Sequence, residues 1–134
     1  MIVDANVAVY WAIPGPHAIP ATAVMSRADL AAPSLILPET ANALINHARA
    51  GNIPAAQIGE IVAMIRTAIK VMVSDAELVQ GALEIAIAHN HKVDDCLYLA
   101  LALQRREPLA TADRRLAALA ETLSIPTELI EPAL

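Results

Sequence analysis

Four acidic residues lie where an alternating α/β chain could bring their carboxylates together. Asp4 and Asp113 each follow a short apolar stretch, Asp95 directly precedes a long apolar run, and Glu39 lies early in a helical pattern. Carboxylates that approach one another repel, and each raises the pKa of the others unless a cation neutralises them. Carboxylate oxygens are also the ligands that Mg²⁺ and Mn²⁺ prefer. The pattern therefore predicts an acid-lined site for Mg²⁺ or Mn²⁺.

Several of these side chains also have a purely structural interpretation. Asp4 or Asn6 could cap the helix that follows the first strand, and Glu39 could lie on a solvated helix face. Asp94, next to Asp95, could cap the N-terminus of the helix that contains the apolar run Cys96 to Leu103, where negative charge is favourable. One Asp is enough for that purpose, so the adjacent second carboxylate favours a role beyond capping.

Short apolar runs alternate with longer helical patterns along the chain. This alternation predicts βαβ units and a parallel sheet with helices on both faces. The ends of parallel strands and the starts of the following helices then meet at one edge of the sheet, where Asp4, Asp95 and Asp113 can converge. Glu39 can join them if its helix leans over that edge. Residues 1–9 are predicted as a short buried strand that runs into a turn or helix, and the other predicted strands are residues 30–32, 70–73, 109–113 and 127–130.

Local signals predict where several helices begin and end. Ser34 is a candidate N-cap for the helix that contains Glu39, and Gly51 is placed to end that helix in the C′ position. Pro54 fits the first position of the next helix. Ser74 and Glu77 have the spacing of a capping box. The run Cys96 to Leu103 is apolar all round, which predicts a buried central helix.

Composition limits the class of protein. The 134 residues predict a single domain, residues 1–134. Hydrophobic residues make up 57% of the chain and the mean hydropathy is +0.51. No apolar run approaches the ~18 residues that span a bilayer, so no membrane segment is expected. The apolar excess is expected in the core or in a protein–protein interface, and we therefore expect a homodimer or a permanent partner.

Charge and the rarer residue types point to a cytoplasmic protein that does not coat nucleic acid. The net charge is −5, which argues against broad nucleic-acid binding unless a bound metal ion reverses the local sign. The single cysteine, Cys96, excludes an internal disulfide and fits a reducing cytosol. The first residues have no basic region of a signal peptide. His89 and His91 are two positions apart, do not share a helix face, and are interpreted as surface residues.

The paired basic residues Arg105–Arg106 and Arg114–Arg115 have two interpretations. Each pair could be a solvated helix end. A role in positioning RNA phosphates is favoured only if a pair lines the acidic edge. Stacking of bases on an aromatic platform is not expected, because Tyr10, Trp11 and Tyr98 are the only aromatic residues.

Four motifs together resemble those of the PIN-domain ribonucleases. They are MIVDAN (residues 1–6), PSLILPETANAL (33–44), VDDCLYLALA (93–102) and LATADRRL (109–116). Their order and spacing fit the family over nearly the whole chain. Each motif alone is weak, whereas the four together at this length are specific. The small size also resembles the VapC-type toxins of toxin–antitoxin pairs.

The resemblance implies a three-layer α/β/α sandwich with a short, mostly parallel central sheet and a Mg²⁺- or Mn²⁺-dependent endoribonuclease activity. Further implications are a homodimer and neutralisation by a cognate antitoxin protein. By the same resemblance, the metal ligands and catalytic residues are Asp4, Glu39, Asp95 and Asp113.

Three further residues receive supporting roles from the resemblance. Asn6 would orient a ligand or water, and Thr111 would be a hydrogen-bonding neighbour of Asp113. Asp94 could cap its helix, add to the field at the metal, or be the ligand in place of Asp95. Asp95 is favoured, because its distance to Tyr98 and the following Leu-Ala run matches the motif.

Two other classes of function stay open from the sequence. One is a PIN-like interaction module with weak catalysis that binds an antitoxin-type partner. The other is a Mg²⁺-dependent DNA nuclease or phosphatase on a similar sheet. The Asp-x-Asp motif of the best-known phosphatase class is missing, because position 6 is Asn.

Overall fold

The computed structural model describes residues 1–27 and 29–133, which form five strands and seven α-helices. A short 3₁₀ turn, Ala55–Gln57, precedes the fourth helix. The elements in chain order are β1 (Ile2–Val3), α1 (Ala5–Tyr10), α2 (Ala18–Arg27), β2 (Leu30–Pro33), α3 (Ile36–Arg49), α4 (Ile58–Ala68), β3 (Ile69–Val73), α5 (Asp75–His89), α6 (Val93–Arg105), β4 (Leu109–Thr111), α7 (Arg114–Thr122) and β5 (Thr127–Leu129).

The five strands form one sheet in the order β3-β2-β1-β4-β5, and every neighbouring pair is parallel. The predicted α/β class is therefore confirmed, with a sheet that is parallel throughout rather than mostly parallel. In the register of the sheet, Ile2 of β1 lies opposite Ala31 on one side and Leu109 on the other. The chain builds outward from β1 through β2 to β3, then returns to β4 on the opposite side. A crevice at the carboxyl ends of β1 and β4 follows from this reversal.

Helix α6 is the buried helix that its apolar run predicts. Tyr98, Leu99 and Leu101 are fully buried in it. It packs against β1, β2 and β4 and along the length of α5. The central position of α6 places its N-terminal turn beside the carboxyl edge of the sheet. No helix in residues 1–27 and 29–133 has the length and apolar character needed to cross a membrane.

Two of the predicted helix starts are wrong. Helix α3 begins at Ile36, and Ser34 does not cap it. The Ser34 hydroxyl instead accepts a hydrogen bond from the backbone N–H of Asp75 at 3.2 Å, and the Asp75 carboxylate accepts one from the backbone N–H of Leu35 at 3.0 Å. These bonds tie the start of α3 to the start of α5. Pro54 precedes the 3₁₀ turn and is not the first residue of an α-helix.

Other predicted helix ends are confirmed or corrected in detail. Gly51 follows Ala50, the C-cap of α3, and has φ +83°, as the C′ prediction requires. Ser74 is the N-cap of α5, but its hydroxyl accepts from the N–H of Ala76, and Glu77 makes no return side-chain bond among the described residues. Of the three roles left open for Asp94, the structure excludes that of N-cap. That position belongs to Lys92, and Asp94 is the exposed second residue of α6.

Candidate active site

Asp4 lies directly after β1, at the crevice between β1 and β4. It occupies the N-cap position of α1, but its side chain makes no capping hydrogen bond. The hydroxyl of Thr111, at the end of β4, donates to Asp4 Oδ2 at 2.8 Å instead. Asp4 is only 6% exposed and Thr111 is fully buried. The carboxylate of Asp4 is therefore held at the edge of the sheet rather than used to start the helix.

The surroundings of Asp4 disfavour its charged form. The pKa of Asp4 is raised from 3.8 to about 7, mainly by burial and also by the nearby charges of Glu39 and Asp95, while the Thr111 hydrogen bond opposes the shift. No cationic side chain of the described residues forms an ion pair with Asp4. A buried carboxylate beside two other acids is a local centre of negative potential.

Glu39, the fourth residue of α3, is half-buried rather than on a solvated face. The hydroxyl of Tyr98, which projects from α6, donates to Glu39 Oε1 at 2.7 Å. Burial raises the pKa of Glu39, the Tyr98 hydrogen bond opposes the shift, and the charges of Asp95 and Asp94 add to the rise. Helix α3 thus brings Glu39 close to Asp95 at the edge of the sheet, so the condition on which Glu39 was expected to join the other acids is met.

Asp95 is the third residue of α6, and its side chain is half-buried. His91 Nε2 lies 3.0 Å from Asp95 Oδ2, and the His91 side chain is only 10% exposed. The interpretation of His91 as a surface residue is therefore wrong, whereas His89 is exposed as predicted. His91 is the residue that the sequence analysis missed at this site. The spacing of four between His91 and Asp95 was the signal that could have found it.

Asp113 follows β4 and is the N-cap of α7. Its Oδ1 accepts from the backbone N–H groups of Arg115 at 2.8 Å and Leu116 at 3.2 Å. Its own backbone N–H donates to the Thr111 hydroxyl at 3.0 Å. The carboxylate is therefore partly used in capping, and its second oxygen makes no hydrogen bond among the described residues.

Asn6 braces the loop that carries Asp113. Its Oδ1 accepts a hydrogen bond from the backbone N–H of Ala112 at 3.0 Å. The amide oxygen is therefore occupied by the chain itself, which leaves the Asn6 NH₂ group for any ligand or water. Together with Thr111, Asn6 fixes the end of β4 against the start of α1.

The four predicted acids fall into two overlapping groups. Asp4, Glu39 and Asp95 are close enough for the charges of Glu39 and Asp95 to raise the pKa of Asp4, and for that of Asp95 to raise the pKa of Glu39. Asp95 and Asp113 line one open cavity of about 310 Å³. Asp95 therefore links the groups. The charge of Asp94 also raises the pKa of Glu39, but the Asp94 side chain is exposed.

Comparisons with known proteins show which family the chain is similar to. The family model described as "PIN domain" matches residues 1–122. The chain belongs to the PIN domain family. A search of curated proteins gives no match. Among solved structures, the chain is similar to the crystal structure of PAE2754 from Pyrobaculum aerophilum, with 26% identity, a TM-score of 0.69, and coverage of 91% of this chain and 84% of that one.

PIN domains are generally divalent-metal-dependent nucleases, and the donors of this PIN domain suit such an ion. Asp4, Glu39, Asp95 and Asp113 offer the carboxylate oxygens that Mg²⁺ and Mn²⁺ prefer. As they stand, no three His, Cys, Asp or Glu side chains within residues 1–27 and 29–133 form a group that could hold a metal ion. The fit rests on donor chemistry and on the uncompensated charge around buried Asp4.

Only one of the paired basic residues of this PIN domain reaches the acidic edge. Arg115 lines the cavity that contains Asp95 and Asp113. Its neighbour Arg114 is 77% exposed and pairs with Glu131 at 3.7 Å. Arg105 and Arg106 lie at the C-terminal end of α6, the end far from Asp95. The interpretation as solvated residues therefore holds for Arg105, Arg106 and Arg114. Arg115 is in a position to contact a substrate.

Proposed function

We propose that this PIN domain is a Mg²⁺- or Mn²⁺-dependent endoribonuclease that acts as the toxin of a toxin–antitoxin pair. The observation that carries the proposal is the grouping of Asp4, Glu39 and Asp95 at the carboxyl edge of the sheet, with Asp4 buried and its pKa raised to about 7. Such a group is stabilised by a cation that offsets its mutual repulsion. The order and spacing of the four acidic motifs support an RNA substrate and the toxin role.

In this proposal Asp4, Glu39, Asp95 and Asp113 would hold the metal ion. When bound, the ion would lower the pKa of a water molecule and neutralise charge on the scissile phosphate. The residues of the chain itself position the acids. Thr111 orients Asp4, Tyr98 orients Glu39, and His91 orients Asp95.

The proposed partners are a second copy of the chain and a cognate antitoxin protein. Three apolar residues of α5, Val79, Leu83 and Ile87, recur every four positions and are 47%, 42% and 75% exposed. An exposed apolar stripe of this kind is typical of a protein–protein interface. Sedimentation of the purified protein tests the homodimer, and Leu83→Glu should dissociate it.

The test of the activity is cleavage of a mixed RNA pool by the purified protein with Mg²⁺, with Mn²⁺ and with EDTA. We expect metal-dependent cleavage that Asp4→Asn and Asp95→Asn abolish while the protein stays folded. Glu60→Gln, an exposed acid on α4, is the matched control and should cleave normally. Single-stranded DNA of the same sequences distinguishes a DNA nuclease. Cleavage by Asp95→Asn at the wild-type rate would refute the assignment.

A second candidate is a PIN-like interaction module that binds an antitoxin-type partner and has little catalysis. The observation that favours it is that no three of the site's side chains yet converge on one metal position. A folded wild-type protein that binds a partner encoded beside it, yet cuts no RNA with either metal, would support this alternative.

A further inference from the structure

A cavity of about 310 Å³ opens beside the acids and contains basic as well as acidic side chains. It lies where the turn between α5 and α6 meets the start of α7. The residues that line it are Asn90, His91, Lys92, Asp95, Asp113 and Arg115. Asp95 and Asp113 belong to the candidate active site, so anything held in this cavity lies next to the acids.

The two full cations of the cavity are not engaged by the protein. Among residues 1–27 and 29–133, neither the Lys92 side chain nor the Arg115 side chain forms an ion pair or a hydrogen bond. Arg27, Arg105 and Arg114, by contrast, are each paired with a glutamate. Lys92 and Arg115 are both exposed, and both flank carboxylates without closing onto them.

Arg49, Arg66, Lys70 and Arg106 also form no ion pair among the described residues, but only Lys92 and Arg115 line the cavity that contains Asp95 and Asp113. The net charge of the chain is −5. The chain as a whole repels a polyanion, and the cavity itself holds two carboxylates beside its two cations. A metal ion on the carboxylates would leave the positive charge of Lys92 and Arg115 unopposed, and local positive charge of this kind attracts a nucleic acid. Lys and Arg side chains bind phosphate oxygens of the nucleic-acid backbone. His91 is already bonded to Asp95 and is not available for this purpose.

We propose that Lys92 and Arg115 form a phosphate-binding subsite that holds the RNA backbone beside the phosphate to be cut. The inference rests on the proposed function, because it takes the neighbouring acids to be the cleavage site. No Phe, Tyr or Trp side chain lines the cavity, so the subsite offers no platform on which bases stack. It positions the strand by charge alone and is independent of sequence.

The experiment measures binding of a short, labelled, mixed-sequence single-stranded RNA by fluorescence anisotropy over a series of KCl concentrations. Mg²⁺ is present throughout, the Asp4→Asn background prevents cleavage, and Glu39→Gln provides a second cleavage-deficient background should that variant unfold. Lys92→Met and Arg115→Met are compared with Lys70→Met and Arg66→Met. The two control residues are exposed and lie at the start of β3 and the end of α4, at the opposite edge of the sheet.

We expect Lys92→Met and Arg115→Met each to weaken binding and to lower the slope of log Kd against log salt by about 0.7, the value for one phosphate contact on a single strand. The control variants should leave the slope unchanged. Binding with an unchanged slope in Lys92→Met and Arg115→Met, or no binding at any salt concentration, would overturn the subsite. Metal-dependent RNA cleavage by the unmodified protein would still support the proposed function in that case. The expected slope changes without metal-dependent cleavage by the unmodified protein would instead overturn the nuclease and leave Lys92 and Arg115 as a phosphate-binding site only.

Discussion

The Thr111 hydroxyl donates a 2.8 Å hydrogen bond to Asp4 Oδ2 and so joins β4 to the residue that follows β1. The same hydroxyl accepts from the backbone N–H of Asp113 at 3.0 Å. One fully buried side chain thereby positions two of the four acids. Strands β1 and β4 are neighbours at the point where the strand order reverses. This bond therefore links the ends of the two strands at the base of the candidate site.

Thr111→Val should destabilise the protein by about 2 kcal/mol, because buried Asp4 and the Asp113 N–H each lose a partner. Thr111→Ser keeps the hydroxyl and should restore most of that free energy of unfolding. Urea unfolding of the three proteins in EDTA measures the difference. A Thr111→Val variant as stable as the wild type would show that the hydroxyl does not contribute to stability.

Without metal, the protein should become less stable as pH rises from about 4 to about 7. The pKa of Asp4 is 3.8 unfolded and about 7 folded, so within that window the folded state binds the proton more tightly. Stability from this group is full below pH 3.8 and is lost as pH passes 7. At about 1.4 kcal/mol per pKa unit, the loss reaches up to about 4 kcal/mol.

Asp4→Asn isolates this contribution, because the other titrating groups remain in place. The free energy of unfolding of the variant should vary less with pH than that of the wild type over the same window. Parallel curves for the two proteins would contradict the raised pKa. Added Mg²⁺ should stabilise the wild type most above pH 7, where Asp4 is charged before the ion binds.

His91→Ala should weaken Mg²⁺ binding about tenfold or more, since Asp95 loses the group that orients it. The matched control is His89→Ala, which removes an exposed ring two positions earlier. Calorimetric titration with Mg²⁺ compares the two variants. An equal affinity in both would mean that the bond between His91 and Asp95 has no influence on the site.

Tyr98→Phe should leave the packing of α6 intact but release Glu39, whose only side-chain donor among the described residues is the Tyr98 hydroxyl. We expect a loss of about 1 to 2 kcal/mol in stability and weaker Mg²⁺ binding. Tyr10→Phe is the control, because the Tyr10 ring stacks on His17 and its hydroxyl makes no hydrogen bond within the described chain. Similar behaviour of the two variants would argue against the positioning of Glu39 by Tyr98.

Sequence was sufficient to predict the parallel α/β sheet and the edge at which the acids gather. Strand and helix patterns have different periods, and in parallel sheets the strand ends place the following residues at one edge. Asp4 and Asp113 are therefore predictable, because each directly follows a strand. The position of Glu39 beside the other acids was predictable only on the assumption that α3 leans over the edge of the sheet. The hydrogen bond from the Tyr98 hydroxyl to Glu39 explains why Glu39 lies there.

The remaining features depend on turns and on contacts between distant segments, which periodicity does not encode. Asn90 has φ +52° at the end of α5, and the reversal it makes brings His91 back toward Asp95. Ser34 has the residue type of an N-cap, but its hydroxyl is taken by Asp75, 41 positions along the chain. Local propensity was correct about the type of residue and wrong about its partner.

Asp4 and Thr111 are in contact at the crevice but lie far apart in the sequence. This separation determines when the site forms during synthesis. Asp4 leaves the ribosome 107 positions before Thr111. Contacts between such distant residues form only after the intervening chain is available and its loop is closed. A nascent chain that ends before β4 therefore lacks both the Thr111 donor and one of the two strands beside β1. The acids are assembled only when nearly the whole domain has emerged, so a growing chain carries no finished site beside the RNA of its own ribosome.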